Sequence, residues 1–347
     1  NICEHMAFKI QISRHHHFHL VEFGFRVREM MVNFMYCSGF SLEQSESITG
    51  TAPSWDRIVV FTLGSPWSSK IELSRYFPEN VRLLMDNKDA MERLRIQCIV
   101  PDDRYVKPGF SKLLYYQKST NEGYFNGYNK SEFDVPIHDL NLMIPDLING
   151  NLSKALLPSD SETRDLFICT HGSRDACCAS FGFVIYEKLR KMLLDNSRIR
   201  VWRVSHLGGH RFAPNMLDMP QGRMWARLTE NEAFKVVEST MDLAIINKCY
   251  RGLIGIDSSF EQVLEKELFG YYGSDWIEKN LKTAIVSESE NNEYASVNLV
   301  TNDRNSKKSS YSAKVSVTGY LPTPDCMSDN FSDEFSPQYS IGSIDWQ

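Results

Sequence analysis

The sequence predicts an α/β fold in two units, and three observations carry that prediction. Short apolar runs rich in Val, Ile, Phe and Trp, at 57–63, 94–100, 165–169 and 199–205, have the length and residue types of buried strands. Between the last two, Phe181, Ile185, Leu189, Met192 and Leu193 recur on one face of a helix over 178–196. The chain has 347 residues, long for one domain, and is 42% hydrophobic, enough for a sizeable core.

The elements follow in order. Residues 1–35 hold His15-His16-His17-Phe18-His19 and read as a poorly ordered or misassigned N-terminal extension. Adjacent histidines in a mobile tail bind metal weakly for want of fixed geometry. A first α/β unit spans 36–157, with strands at 57–63, 81–85, 94–100 and 111–118. It adds a helix over 68–77 capped by Ser69, and one over 139–154 that Pro145 must kink. The polar stretch Pro158–Arg164 reads as a linker. A second unit over 165–250 has a strand–helix–strand, a strand at 223–228 and a helix at 230–249. In the remainder, 251–347, a helix at 258–269 is followed by a hairpin of Tyr294–Thr301 with Ser310–Thr318; the chain after Pro322 reads as loosely ordered.

Composition excludes several functions. A net charge of −6 gives no broad footprint for nucleic acid. The longest nearly apolar run, Ile58–Gly64, is far short of the roughly 20 residues of a membrane helix. No secretory signal is visible, so a cytoplasmic location is expected. Eight cysteines are too sparse for a disulfide scaffold.

Two loops carry the chemistry. One reads Cys169-Thr170-His171-Gly172-Ser173-Arg174-Asp175-Ala176-Cys177-Cys178, the other Ser205-His206-Leu207-Gly208-Gly209-His210-Arg211-Phe212-Ala213-Pro214. Each follows a strand, and one helix lies between the strands. A parallel strand–helix–strand unit puts both strand ends on one sheet edge, where open α/β sheets place their sites. Thiolates and imidazoles suit zinc, copper and iron. The eight residues between Cys169 and Cys178 are too many for a zinc-finger pair. On spacing alone zinc and an iron–sulfur centre stay open. A third alternative is metal-free thiol chemistry at Cys177 and Cys178, disfavoured because neighbouring cysteines make a strained disulfide. Arg174 and Asp175 are expected to form an ion pair, His171 to be a loop hydrogen-bonder rather than a ligand, and Trp202 and Trp225 to lie in the core.

The 169–178 segment, with Trp202-Arg203-Val204-Ser205-His206-Leu207-Gly208-Gly209-His210-Arg211-Phe212-Ala213-Pro214-Asn215, closely resembles the sucrase/ferredoxin-like family. Cys37-Ser38, Gly50-Thr51-Ala52-Pro53 and Pro66-Trp67 resemble the N-terminal pattern of its bacterial members. The resemblance implies a thioredoxin-like ferredoxin domain, preceded by an α/β unit that we expect to be thioredoxin-like too. It also implies a 2Fe-2S cluster held by Cys169, Cys178, His206 and His210. Thr170 stands where fungal and plant members have Gly, and Cys177 where they have Arg, so Cys177 rivals Cys178 as second thiol ligand. Such a chain is expected to exchange single electrons with a redox partner protein, or to sense redox state, rather than to turn over a substrate. No nucleophile–base pair, phosphate-cradling loop or glycosidase carboxylate pair stands out in the sequence. Two neutral imidazoles in place of thiolates imply a potential above that of an all-cysteine ferredoxin, as in Rieske centres.

Overall fold

A computed structural model describes residues 36–150, 162–303, 307–324 and 331–346. The N-terminal extension with its histidine cluster, and most of the predicted linker at 158–164, lie outside the described residues. The described chain is mixed α/β, with 14 strands in one sheet.

The first half contributes α1 (Cys37–Glu43), β1 (Arg57–Thr62), α2 (Glu79–Met85), β2 (Leu94–Ile99), β3 (Phe110–Asn121), β4 (Tyr124–Pro136) and α3 (Leu140–Ile148). β1 pairs in parallel with β2 and antiparallel with β3, and β4 extends the sheet from β3. The second half repeats this pattern. β5 (Arg164–Cys169), α4 (Ala176–Met192), β6 (Ile199–Val204), β7 (Met216–Met219), β8 (Arg223–Trp225) and α5 (Glu230–Val237) follow in order. β5 is parallel to β6 and antiparallel to β7, and β8 joins β7. The orders β2-β1-β3-β4 and β6-β5-β7-β8 are the same arrangement twice, joined where Ile99 of β2 faces Val204 of β6. Behind β8 come α6 (Leu243–Cys249), β9 (Tyr250–Leu253) and α7 (Ser259–Tyr272). An antiparallel run then extends the β4 side: β10 (Asn280–Glu288), β11 (Tyr294–Asn302), β12 (Lys308–Pro324), β13 (Phe331–Ile341) and the short β14 (Asp345–Trp346).

The join between the halves is polar and buried. Asp165 accepts hydrogen bonds from Tyr116, Lys130, Arg200 and the Trp202 indole. Arg200 also grips Glu132 with two bonds of 2.8 and 2.9 Å. Removing one member of such a network strands a buried charge. Trp202 and Trp225 lie in the core as expected.

Several expected elements are corrected. Residues 81–85 are helical: Val81, Leu84 and Met85 fall at helical spacing, behind Pro78 at the cap and Glu79 in the first turn. In place of a helix over 68–77 there is one 3-10 turn, Ile71–Leu73. The helix expected over 230–249 is two, interrupted where Ser239 adopts φ 57°. The chain after Pro322 is not uniformly loose, since β13 pairs along β12. β4 and β10 were not anticipated. β4 is rich in polar residues, and it follows β3 through Glu122-Gly123, both at positive φ, the two-residue turn that matches strand twist.

Candidate functional site

The parallel register sets Cys169 of β5 opposite Val204 of β6, so both following loops leave the same sheet edge. The first loop folds on itself: the backbone amides of Arg174 and Asp175 donate to the His171 carbonyl. Asp175 then caps α4, its Oδ1 accepting from the Cys177 amide at 2.9 Å. That cap places Cys177 and Cys178 in the first turn of α4. Successive helical residues point about 100° apart, and the two thiols part company. Cys178 turns to Cys169 and His206, while Cys177 turns to Cys37 and Ser38.

The buried stripe of α4 is Cys178, Gly182, Ile185 and Leu189, whereas Phe181 and Met192 of the predicted face are exposed. Gly182 rests on β5 itself. A methyl group there would lie 1.9 Å from the Cys169 carbonyl oxygen.

The second loop is held from below. Arg95 and Gln97 of β2 donate to the His206 carbonyl at 2.6 and 3.1 Å. Gly208 and Gly209 take φ of 85° and 70°, a left-handed pair that turns the chain into the 3-10 segment His210–Phe212. Arg251 lies beneath this turn and donates to the Gly208 carbonyl, Asn215 Oδ1 and the Thr51 carbonyl. Burial and the nearby Arg211 charge lower its pKa to about 9. Arg211 itself pairs with Glu46 at 2.9 Å.

His171 bridges the structure. Its Nδ1 accepts from the His206 amide and its Nε2 donates to the Ser68 carbonyl at 2.7 Å, which uses both nitrogens and fixes the tautomer. It is the loop hydrogen-bonder expected. The predicted Arg174–Asp175 pair is replaced: Arg174 is exposed, and Asp175 Oδ2 lies 2.9 Å from His210 Nδ1. Asp175 faces inward from the helix cap, while its chain neighbour Arg174 points to solvent.

Of the four residues singled out as ligands, Cys169, Cys178 and His206 come together. Their donor atoms all lie within 4.8 Å of one another, both sulfurs are buried, and His206 Nδ1 is 3.7 Å from Cys178 Sγ. His210 stands beside them, its ring centroid 6.1 Å from that of His206, with Nδ1 turned to Asp175 and to Cys37 Sγ at 3.0 Å. Cys178 shares its proton with the Cys169 sulfur, which holds Cys169 well below the ordinary thiol value and pushes Cys178 up. Sequence reasoning missed Cys37 and Arg251 as neighbours of the site. Cys37 stood only in a resemblance pattern, and Arg251 carried no local signal.

Two thiols and an imidazole at the carboxyl edge of a parallel strand pair are the donors that soft and borderline metals prefer. The family model described as Sucrase/ferredoxin-like matches residues 48–252, and the chain belongs to that family. Among curated proteins it is similar to three yeast proteins, each named Altered inheritance of mitochondria protein 32. The Candida glabrata protein is 27% identical over 179 residues, 44% of this chain and 54% of that protein. The Meyerozyma guilliermondii protein is 27% identical over 96 residues, 26% of this chain and 34% of that protein. The Debaryomyces hansenii protein is 29% identical over 94 residues, 25% of this chain and 34% of that protein. The matches thus span from a third to just over half of these relatives' length. No solved structure matches the chain. Among the described residues no helix is long and apolar enough to cross a membrane.

Proposed function

We propose that the chain holds a 2Fe-2S cluster through Cys169, Cys178, His206 and His210 and passes single electrons to a redox partner protein. The observation that carries this reading is the convergence of Cys169, Cys178 and His206 at one sheet edge, with His210 beside them. The donor set fits the group: two buried sulfurs form one pair, and two imidazoles stand on the facing loop. When bound, the group supplies one-electron exchange, at a potential that neutral imidazole ligands raise. Cys169 and Cys178 supply thiolate charge from the rigid end of β5 and the capped start of α4. Asp175 accepts the His210 Nδ1 proton and orients that ring, as carboxylates do for metal-bound histidines. The repeated order β2-β1-β3-β4 and β6-β5-β7-β8, with a helix between the parallel strands, supports a thioredoxin-like reading of both units. No disulfide joins the six described cysteines, which fits a reducing compartment such as the cytoplasm.

Anaerobic purification of the full chain, with its visible spectrum and iron and sulfide analysis, tests this reading. Two irons and two sulfides per chain are expected; a colourless, zinc-loaded protein would refute it. Protein-film voltammetry then tests the ligands. His206→Cys and His210→Cys should each keep a cluster and lower its potential, because the added thiolate charge disfavours reduction. A potential unchanged by both substitutions would remove the histidines from the ligand set.

A further inference from the structure

A second donor group lies next to the first and shares its loops. Cys37 of α1, Asp175 at the cap of α4 and Cys177 in its first turn are all buried, and their ligand atoms lie within 4.8 Å of one another. The Cys37 and Cys177 sulfurs are 3.5 Å apart. Nδ1 of His210 flanks the group, 3.0 Å from Cys37 Sγ and 2.9 Å from Asp175 Oδ2.

Zinc bonds of about 2.3 Å to sulfur give a tetrahedral sulfur–sulfur edge of about 3.8 Å. The 3.5 Å between the Cys37 and Cys177 sulfurs needs to open only slightly to reach it. Asp175 can serve both duties, since Oδ1 caps the helix and Oδ2 faces the group. Thiolates and carboxylates are both zinc ligands, and three protein donors leave a fourth position for water. Cys37 is remote in sequence from the other two donors.

We propose that Cys37, Asp175 and Cys177 form a second metal site, for a single zinc-class ion, distinct from the Cys169–Cys178–His206 group. Its role is to fasten α1 to the start of α4. The proposal does not rest on the cluster.

The test is zinc and iron analysis of the anaerobically purified full chain, wild type and variants, with cobalt(II) as a spectroscopic replacement for zinc. About one zinc per chain is expected, lowered at least about tenfold by Cys37→Ser and by Cys177→Ser with iron unchanged. Cys37→His, which keeps a ligand, should retain the ion and guards against a mere folding defect. Cobalt should show thiolate charge-transfer bands and tetrahedral d–d bands that Cys37→Ser abolishes. Absence of both zinc and cobalt binding would overturn the proposal, as would zinc that depends on Cys169 and not on Cys37. Loss of iron alone would refute the cluster and leave the second site standing.

Discussion

Gly182 is where the helix and the candidate site are most tightly coupled, and Gly182→Ala gives a result whose sign the structure decides. On an open helix the change stabilises, since alanine is favoured over glycine by about 1 kcal/mol. Here the new methyl group would sit 1.9 Å from the Cys169 carbonyl oxygen and 3.1 Å from its carbon. Non-bonded contact needs about 3.3 Å, so α4 must back away from β5 by about 1.4 Å. Overpacking of this kind costs about 1–3 kcal/mol and sometimes more. A backbone carbonyl on a central strand has no rotamer by which to yield. A shift of about 1.4 Å puts the cost at the top of that range, so the net expectation is a loss of about 2 kcal/mol, read as a fall in Tm of roughly 3 °C for a chain of this length.

The same displacement carries Cys178 away from Cys169, because Cys178 lies one turn before Gly182 on the same face. Iron content should therefore fall in Gly182→Ala along with Tm. Glu187→Ala, at an exposed position of the same helix, should stay within about 0.5 kcal/mol of wild type and keep its iron. Thermal unfolding and iron analysis on the three proteins decide the matter. A Gly182→Ala protein as stable as wild type and fully loaded would show that α4 does not bear on Cys169 as described.

Three further outcomes are expected. Cys169→Ser or Cys178→Ser should strip the iron and Cys177→Ser should leave it, because only Cys178 faces Cys169; the opposite result for 177 and 178 in iron analysis would exchange their roles. Gly209→Ala should lose more stability and iron than Gly208→Ala by thermal unfolding and iron analysis: both pay about 1–2 kcal/mol for positive φ, but only at 209 does the methyl group meet a neighbour, the Arg251 guanidinium at 2.8 Å. Burial pushes the Glu132 carboxyl up, but the paired Arg200 and Lys112 outweigh it and hold its pKa at about 2 rather than 4.5. Its contribution is therefore complete above pH 4.5 and lost as pH falls toward 2, so Glu132→Gln should flatten the stability profile across that window in acid denaturation.

What the sequence made legible were features set by local pattern. The strands at 57–62, 94–99, 164–169 and 199–204 are apolar because they are buried, and burial is what periodicity reports. The Cys169–His206 meeting followed from one rule, that a parallel strand–helix–strand unit brings both strand ends to one edge. What stayed hidden depended on distant partners. β4 and β13 are polar enough to read as loops and become strands only through pairing with β3 and β12. Residues 81–85 carry a strand's apolar content on a helix's spacing, and so short a run does not separate the two. The repeat of the two halves lies in strand order and direction, not in residue identity, so no search for a fixed period finds it.

The Cys177–Cys178 doublet shows why spacing alone left the second ligand open. Counted along the chain, the two thiols are equivalent, each eight or nine residues from Cys169. On a helix they cannot be, since a step of about 100° turns one of them off any shared centre. The helix start sets which one faces Cys169. Asp175, by capping the Cys177 amide, fixes the rotation of the first turn; in that rotation Cys178 joins the stripe with Gly182, Ile185 and Leu189 that packs on the sheet. Cys177 is then left on the side that meets α1, where Cys37 and Ser38 wait. One carboxylate thus assigns both sulfurs, and with its other oxygen it holds His210. Asp175→Asn would keep a cap but remove the negative charge that faces His210, so the variant should change the His210 ring resonances in NMR before it changes those of Cys178.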